Sequence, residues 1–314
     1  MARFVLRRFG LLLGTLLVSS VVIFVILNHD PRAVAVAILG QYYTEQDVQT
    51  VMRKLALNRP ATVRYAEWLG HFVAGDWGRS YTMNVPVAEI VTQRLRNSAA
   101  LGGLAFIAIV PFSIGMGLLA GVHEGRAVDH VISIVGLSAI ALPEFVSGVF
   151  LIVVFGLWLN WLPPSAAIPP AANPFQSLRV LILPCLTLML VEFAYIARMT
   201  RATTSEVLHS DYVRTAILKG LPMWSVLWSH VLRNALVPVI TVVASQVGWL
   251  LGGLVIVETL FAYPGLGGLS LDAALGHDLP LLEAVGMLMA VVYSLSNLIA
   301  DLLYAYLNPR IRYA

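Results

Sequence analysis

The chain has 314 residues, of which 59% are apolar and only 12% are charged. A soluble domain carries about a quarter of its residues as charges, so the composition excludes a soluble enzyme, a nucleic-acid-binding protein and a disordered chain. It predicts instead a protein whose main solvent is lipid. The formal net charge of +3 then reflects basic residues that orient membrane segments, because such residues concentrate on the cytoplasmic side.

Six stretches of the chain are apolar over about 20 residues, the length that an α-helix needs to cross a bilayer. They predict an all-α membrane protein with six helices over residues 9–27, 99–121, 131–159, 180–197, 235–257 and 284–307. Asp30-Pro31-Arg32 follows the first stretch before any small-residue cleavage site. We therefore interpret the first stretch as a retained helix and not as a signal peptide.

The positions of arginine and lysine predict the orientation of these helices. Two short connections, residues 160–178 and 258–283, contain neither residue type, which is typical of external loops. The long segment 28–97 does carry basic residues, but long translocated segments are exempt from the rule. We therefore predict that both termini lie in the cytoplasm.

The long external segment contains patterns of folded structure. Thr44-Glu45-Gln46-Asp47 matches a capping box, and apolar residues follow it at the helical spacing of Val48, Val51, Met52 and Leu55. A second helix is predicted from Pro60, with aromatic residues that suit a membrane–water interface. Whether this insertion is a lid or contacts a substrate stays open.

The inner connection over residues 200–233 is long and not polar. Within it, Gly220 is placed to end one short helix and Pro222 to begin another. Two short amphipathic helices that meet at a glycine would present a docking surface on the cytoplasmic face. The alternative is that both helices lie on lipid headgroups without a protein partner.

Chemistry-bearing residues are sparse inside the predicted helices. Glu144, Glu192 and Asp301 are the acidic residues there, whereas an ion-coupled transporter would carry several more. Glu144 follows Pro143 and is a candidate pathway residue; the alternative is a bundle-facing hydrogen-bonding group. The histidines have no metal-ligand spacing and Cys185 is the sole cysteine, so we predict no metal, cofactor or catalytic residue.

No phosphate-binding Gly-x-x-x-x-Gly-Lys motif is present in the sequence. A protein of this kind that moved a solute uphill would take its energy from another polypeptide, and a docked ATPase is the natural source.

The inner connection resembles a motif of the type I ABC importer permeases. Arg214-Thr215-Ala216-x-x-x-Gly220 is similar to their Glu-Ala-Ala-x-x-x-Gly loop, with departures at the first two positions. Residues 211–221 and 230–236 are similar to the peptide and nickel subclass, whose patterns are Asp-Tyr-Val-x-Thr-Ala-x-x-Lys-Gly-Leu and His-x-Leu-Arg-Asn-Ala-Leu. Further matches to the dipeptide and oligopeptide B-type subunit lie at residues 75–80, 142–145, 161–163, 258–267 and 308–310.

The resemblance implies a multi-pass permease subunit of the inner membrane that imports short peptides and is not itself an enzyme. It implies as partners a second homologous permease subunit, two ABC ATPase subunits, an external solute-binding protein and membrane lipid, with no nucleic acid. In the family the inner loop is a coupling helix that docks on the ATPase. Carried over by position, the docking residues are Arg214, Thr215, Ala216 and Gly220, flanked by Asp211, Tyr212, Lys219 and Leu221.

We accordingly divide the chain into four segments: residues 1–28 with the first helix, the external insertion 29–93, the transmembrane domain 94–307 with the coupling loop 200–233, and a cytoplasmic tail 308–314. One alternative function is the same machine for nickel chelates or glutathione. More distant alternatives are an ion-coupled secondary transporter and an intramembrane enzyme.

Overall fold

The computed structural model describes residues 2–40, 43–169 and 173–307, and the predicted tail 308–314 lies outside them. In these ranges the chain is helical, and the one β contact there is an isolated bridge between Arg79 and Pro86. The prediction of an all-α protein is confirmed. The helices are α1 (Ala2–Asn28), α2 (Pro31–Leu39), α3 (Glu45–Lys54), α4 (Ala61–Val73), α5 (Val87–Val122), α6 (Ala127–Ala141), α7 (Glu144–Leu151), α8 (Leu178–Leu208), α9 (Asp211–Leu218), α10 (Met223–Val226), α11 (Arg233–Leu260), α12 (Leu266–Leu275) and α13 (Leu279–Leu307).

Five of the described helical segments are long and apolar enough to cross a membrane. They are Phe4–Asn28, Val87–Val122, Leu178–Leu208, Met223–Leu260 and Leu279–Leu303. A sixth crossing is formed if α6 and the helical segment Glu144–Trp158 act as one span, because together they are also long and apolar enough. The structure is therefore consistent with the six predicted spans.

The third span is not the continuous helix over residues 131–159 that the sequence predicts. The helix axis bends by 109° between its two halves, at Leu142 and Pro143. Leu142 has an extended backbone, with φ −92° and ψ 129°, because the ring of a following proline disfavours the helical conformation. Beyond the break, α7 continues into a π-helical segment over Ile152–Trp158.

The inner connection is much shorter than the predicted range 200–233. Helix α8 continues to Leu208, and α10 runs through the π-helical segment Leu227–Leu232 into α11. The second predicted helix does begin after Pro222, but it continues into α11 instead of ending as a short helix. The first turns of this long helical segment, Met223–Leu260, pack against α9. Val226 and Val231 are fully buried there in one cluster with residues of α9.

The chain divides into two compact units. Within the described residues, the first unit comprises 2–5, 99–169, 173–263 and 296–307. Its core is formed by α5, α8 and α11, with Leu101, Ile109, Leu183, Leu188 and Phe261 fully or almost fully buried.

The second unit comprises the described residues of 6–98 and 264–295. It contains the predicted insertion, and the capping box between Thr44 and Asp47 is confirmed at the start of α3. The second predicted helix is also confirmed, since α4 begins at Ala61 directly after Pro60. Val34, Leu57 and Leu279 form one of the small cores of this unit.

Candidate coupling and pathway sites

Helix α9 ends where the sequence predicts. Gly220 follows it with φ +80°, in the left-handed region that glycine adopts without a steric penalty. Its N–H donates to the carbonyl oxygen of Ile217 at 2.9 Å, and the N–H of Leu221 donates to Ala216 at 3.4 Å. These bonds satisfy carbonyl groups at the helix end and turn the chain toward α10.

One face of α9 is turned into the protein. Val213 is fully buried and Ala216 is 6% exposed, and both pack against Val226 and Val231 of the following helix. The small size of Ala216 is therefore explained by contacts within this chain. Of the eight predicted docking residues, Ala216 is the one whose side chain the structure buries.

The opposite face of α9 and the start of α10 are exposed, and we call this surface the coupling face. It contains seven of the eight predicted docking residues, namely Asp211, Tyr212, Arg214, Thr215, Lys219, Gly220 and Leu221. It also contains large apolar side chains that the motif did not single out, with Leu218 79% and Trp224 69% exposed. Exposed apolar patches of this kind mark protein or membrane contact sites.

Trp224 and Trp228 extend the coupling face, and their rings meet edge to face at 5.2 Å. They stand four residues apart, the spacing of neighbours on one helix face. That spacing was the signal in the sequence that could have added them to the predicted surface.

Helix α8 leads into α9 and is held near its C-terminal end by an ion pair. The guanidinium group of Arg201 donates through Nη2 to Asp129 Oδ2 at 2.7 Å and through Nε to Oδ1 of the same carboxylate. Asp129 is 2% exposed and belongs to the first turn of α6. Ser205 adds a bond to Glu124. These contacts fix the C-terminal part of α8 to the start of α6 and to the turn that precedes it.

Two glycines of α5 allow α8 to approach very closely. A Cβ atom at Gly121 would lie 2.7 Å from Thr204 Cβ and 2.9 Å from the carbonyl oxygen of Arg201. Gly117 is four residues earlier, and this Gly-x-x-x-Gly spacing is a common contact motif of membrane helices. The spacing is visible in the sequence and could have predicted the contact.

Two of the acidic residues that the sequence places within spans lie among α7, α8 and α11. Glu192 is 5% exposed and accepts a hydrogen bond of 2.6 Å from the Gln246 amide, which fits the bundle-facing alternative. Glu144 is partly exposed and its carboxylate lies directly against Gly253 of α11. Of these two residues, Glu144 keeps the partial exposure that contact with a solute requires.

The second unit contains a cleft of about 380 Å³ beside α4. Asn28 accepts a bond from Arg64 and donates one of 2.6 Å to Glu283, and Trp68 and Trp77 lie at the cleft wall. Burial, with smaller contributions from nearby acidic groups, raises the pKa of Tyr81 in this cleft to about 12.

Within the described ranges no cluster of His, Cys, Asp and Glu could hold a metal ion.

Comparison with known proteins identifies the family of the chain. Residues 113–313 match the family model described as "Binding-protein-dependent transport system inner membrane component", and residues 1–102 match the model of its N-terminal region. The chain is 35% identical to the "Probable peptide ABC transporter permease protein y4tP" of Sinorhizobium fredii, over 100% of both chains.

Two further relatives also align over 100% of both chains. The chain is 35% identical to the "Oligopeptide transport system permease protein AppB" of Bacillus subtilis and 36% identical to the "Glutathione transport system permease protein GsiC" of Escherichia coli. The resemblance inferred from the inner connection is confirmed. The chain belongs to the binding-protein-dependent transport system inner membrane components, which are type I ABC importer permeases.

Proposed function

We propose that this chain forms half of the translocation pathway of an ATP-driven importer of short peptides. Two of its full-length relatives carry peptide or oligopeptide transport in their names, and this supports the substrate class. In the proposal, a second homologous permease subunit completes the pathway, two ATPase subunits supply the energy and an external binding protein delivers the peptide.

The observation that carries the proposal is the coupling face. Leu218 and Trp224 are large apolar side chains held largely in solvent, and burying them against a partner would be favourable by about 25 cal/mol per Å² of apolar area. Arg214 and Lys219 are exposed on the same short element and would contribute charge complementarity with an acidic partner groove. This combination favours a protein partner over a purely lipid contact.

The buried side of α9 gives the coupling face a rigid support. Val213, Ala216, Val226 and Val231 are packed beneath it, so a push on the exposed side would move α9 and the start of α10 together. Arg201 and Asp129 then hold the inner end of α8 against α6. A movement at α9 would reach the helix that carries Glu192 through these close contacts.

In the proposed orientation both termini and the coupling face lie in the cytoplasm, because the two basic-free connections are external. Residues 29–93 would form the external insertion and residues 94–307 the transmembrane domain. The binding protein would approach from the side of the insertion, and the ATPase subunits from the side of α9.

Replacement of Leu218 by glutamate tests the docking role. Leu218 is 79% exposed, so Leu218→Glu should leave the packing of the chain intact. We expect roughly tenfold weaker binding of the ATPase subunits, equivalent to about 1.4 kcal/mol, together with reduced uptake of a labelled tripeptide. Ala216→Arg is a less specific test because Ala216 is buried in its own chain.

Leu275→Glu is the matched control. Leu275 is 74% exposed on α12, which the proposed topology places on the external side. This variant should copurify with the ATPase subunits as the wild-type chain does. Equal copurification and uptake for Leu218→Glu and the wild type would refute the coupling assignment.

Glutathione is a second candidate substrate, and the similarity to GsiC favours it. Glutathione is itself a small peptide with an additional thiol and carboxylate, so the two candidates differ in ligand detail and not in mechanism. Stimulation of ATP hydrolysis in the reconstituted complex by glutathione, but not by alanine tripeptide, would favour glutathione.

A further inference from the structure

An apolar groove of about 230 Å³ lies between α6 and α8 in the first unit. Small residues make the space, and a Cβ atom at Gly136 would lie 3.3 Å from Ala194 Cβ, so the two helices are close at its floor. Ala197 lies one turn beyond Ala194 on the same helix. Larger side chains form the walls of the groove, including Ile132, Ile140 and Phe193.

The groove opens onto a surface that is apolar outside it as well. Val131, Ile134, Val135 and Leu137 of α6 are each between 50% and 63% exposed. Both helices belong to segments that are apolar enough to span a membrane. A lipid acyl chain is therefore a chemically suitable neighbour for this surface.

One end of the groove is basic. Arg198 and Arg201 both line it, together with Ser133. Arg201 is committed to Asp129 through two hydrogen bonds. Arg198 is exposed and has no hydrogen bond or ion pair among the residues that the structure describes. The positive charge of Arg198 is thus available at one end of the apolar groove.

The direction of the groove agrees with the geometry of a phospholipid. Ile132 and Ser133 belong to the early part of α6, and Arg198 and Arg201 to the late part of α8, so the polar end lies toward the inner connections. Ile140 lies later in α6 and Phe193 earlier in α8, so both are farther from these connections and nearer the middle of the spans. In the proposed orientation the polar end is at the level of the cytoplasmic headgroups.

We propose that this groove binds one anionic phospholipid, with an acyl chain between α6 and α8 and its phosphate paired with Arg198. Basic pockets between membrane helices on the cytoplasmic side are suited to anionic headgroups, and the long arginine side chain can extend to that level. A free phosphate ion is not the whole ligand, because a phosphate ion would leave most of the apolar groove unfilled.

Retention of lipid by the purified importer complex tests the proposal. The probes are dioleoyl phosphatidylglycerol and dioleoyl phosphatidylcholine, and the measurement is the number of lipids that remain bound in native mass spectrometry. We expect preferential retention of phosphatidylglycerol by the wild type. Arg198→Gln should weaken that retention about fivefold, the factor that corresponds to about 1 kcal/mol for one basic residue at an anionic surface.

Arg126→Gln is the matched control, because Arg126 is also exposed and precedes α6 but does not line the groove. It should retain phosphatidylglycerol as the wild type does. Leu137→Trp should reduce retention of both lipids, since Leu137 lines the groove and is 56% exposed at its edge, so that the larger ring would cover the opening.

Three results would overturn the proposal. One is an equal loss of phosphatidylglycerol from Arg198→Gln and Arg126→Gln, which would indicate a general effect of positive charge. Another is displacement of the lipid by glycerol 3-phosphate, which has no acyl chain. The last is an oxidant-induced disulfide between Leu137→Cys and a cysteine introduced into the second permease subunit, which would show that protein covers the groove.

Discussion

Gly117 of α5 and Ala197 of α8 are so close that a Cβ atom at position 117 would lie 2.5 Å from the carbonyl oxygen of Ala197. Real Cβ atoms do not approach a backbone oxygen to this distance, so any side chain there would force the two helices apart. The absence of a side chain at Gly117 is thus a condition for the position of α8, the helix that leads to α9.

Gly117→Ala should therefore destabilise the protein. The added methyl group must displace the backbone of α8, and overpacking of this kind costs about 1–3 kcal/mol. We expect a lower Tm of the purified complex. Gly103→Ala is the control, because Gly103 is in the same helix and nothing lies within 4 Å of the position that a Cβ atom would take there. Equal Tm values for both variants would contradict the importance of the close contact.

The ion pair between Arg201 and Asp129 should behave as one energetic unit. Asp129→Asn removes the nearer of the two acidic partners that the structure describes for Arg201 and leaves it only Glu124, at 3.8 Å. Arg201→Gln leaves a 2% exposed carboxylate without its main donor. We expect each single variant to lower the stability and the double variant to lose less than the sum, with a coupling energy of about 1–3 kcal/mol. The check is a double-mutant cycle in Tm or denaturant midpoint, and strictly additive losses would contradict it.

Glu144→Gln should lower peptide uptake without loss of assembly. The carboxylate is partly exposed and lies against Gly253, so the change removes a charge with little change of volume. We expect normal copurification and ATP hydrolysis with reduced transport in proteoliposomes. Glu89→Gln is the control, since Glu89 is exposed in the first turn of α5. Wild-type uptake by Glu144→Gln would assign Glu144 a structural role.

Asp278 should make the stability of the second unit depend on pH. Burial is the largest influence and by itself raises the pKa of Asp278, but hydrogen bonds from Ser80, from the backbone of Thr82 and Tyr81, and from the Thr82 hydroxyl together lower it below its usual value. A lowered folded pKa means that the ionised carboxylate stabilises the fold above the unfolded pKa of about 3.9, and that this contribution is lost as the pH falls through the folded value.

We therefore expect Asp278→Asn to lower Tm at pH 7, with a difference from the wild type that shrinks as the pH falls below about 4. Asp272→Asn is the control, because Asp272 is exposed in α12, and it should change Tm little at any pH. A difference for Asp278→Asn that stays constant from pH 7 to pH 3 would contradict this assignment.

Cysteine labelling tests the proposed orientation. In a chain with Cys185 replaced, Ser165→Cys and Ala274→Cys should react with an impermeant thiol reagent added to intact cells, and Thr215→Cys should be protected. All three side chains are exposed in the structure, so protection would reflect the side of the membrane and not burial. Labelling of Thr215→Cys from outside would reverse the topology.

Features encoded by neighbouring residues were predictable from the sequence. The length of apolar stretches indicated the membrane segments, the Thr44 and Asp47 pattern indicated the start of α3, and Gly220 indicated the end of α9. Each depends on a local rule: the thickness of the bilayer, the unpaired N–H groups of a first turn, or the backbone freedom of glycine. The resemblance of the inner connection to known motifs then identified the family of the protein.

Only the tertiary structure determined which faces of these elements are used. The motif treated Ala216 as part of a docking surface, whereas Val226 and Val231 cover it because α10 folds back after Gly220. Asp129 and Arg201 are 72 residues apart, and no local pattern pairs them. The side of a helix that is buried depends on partners that are distant in the chain, so spacing within one segment could predict the helix but not the contact.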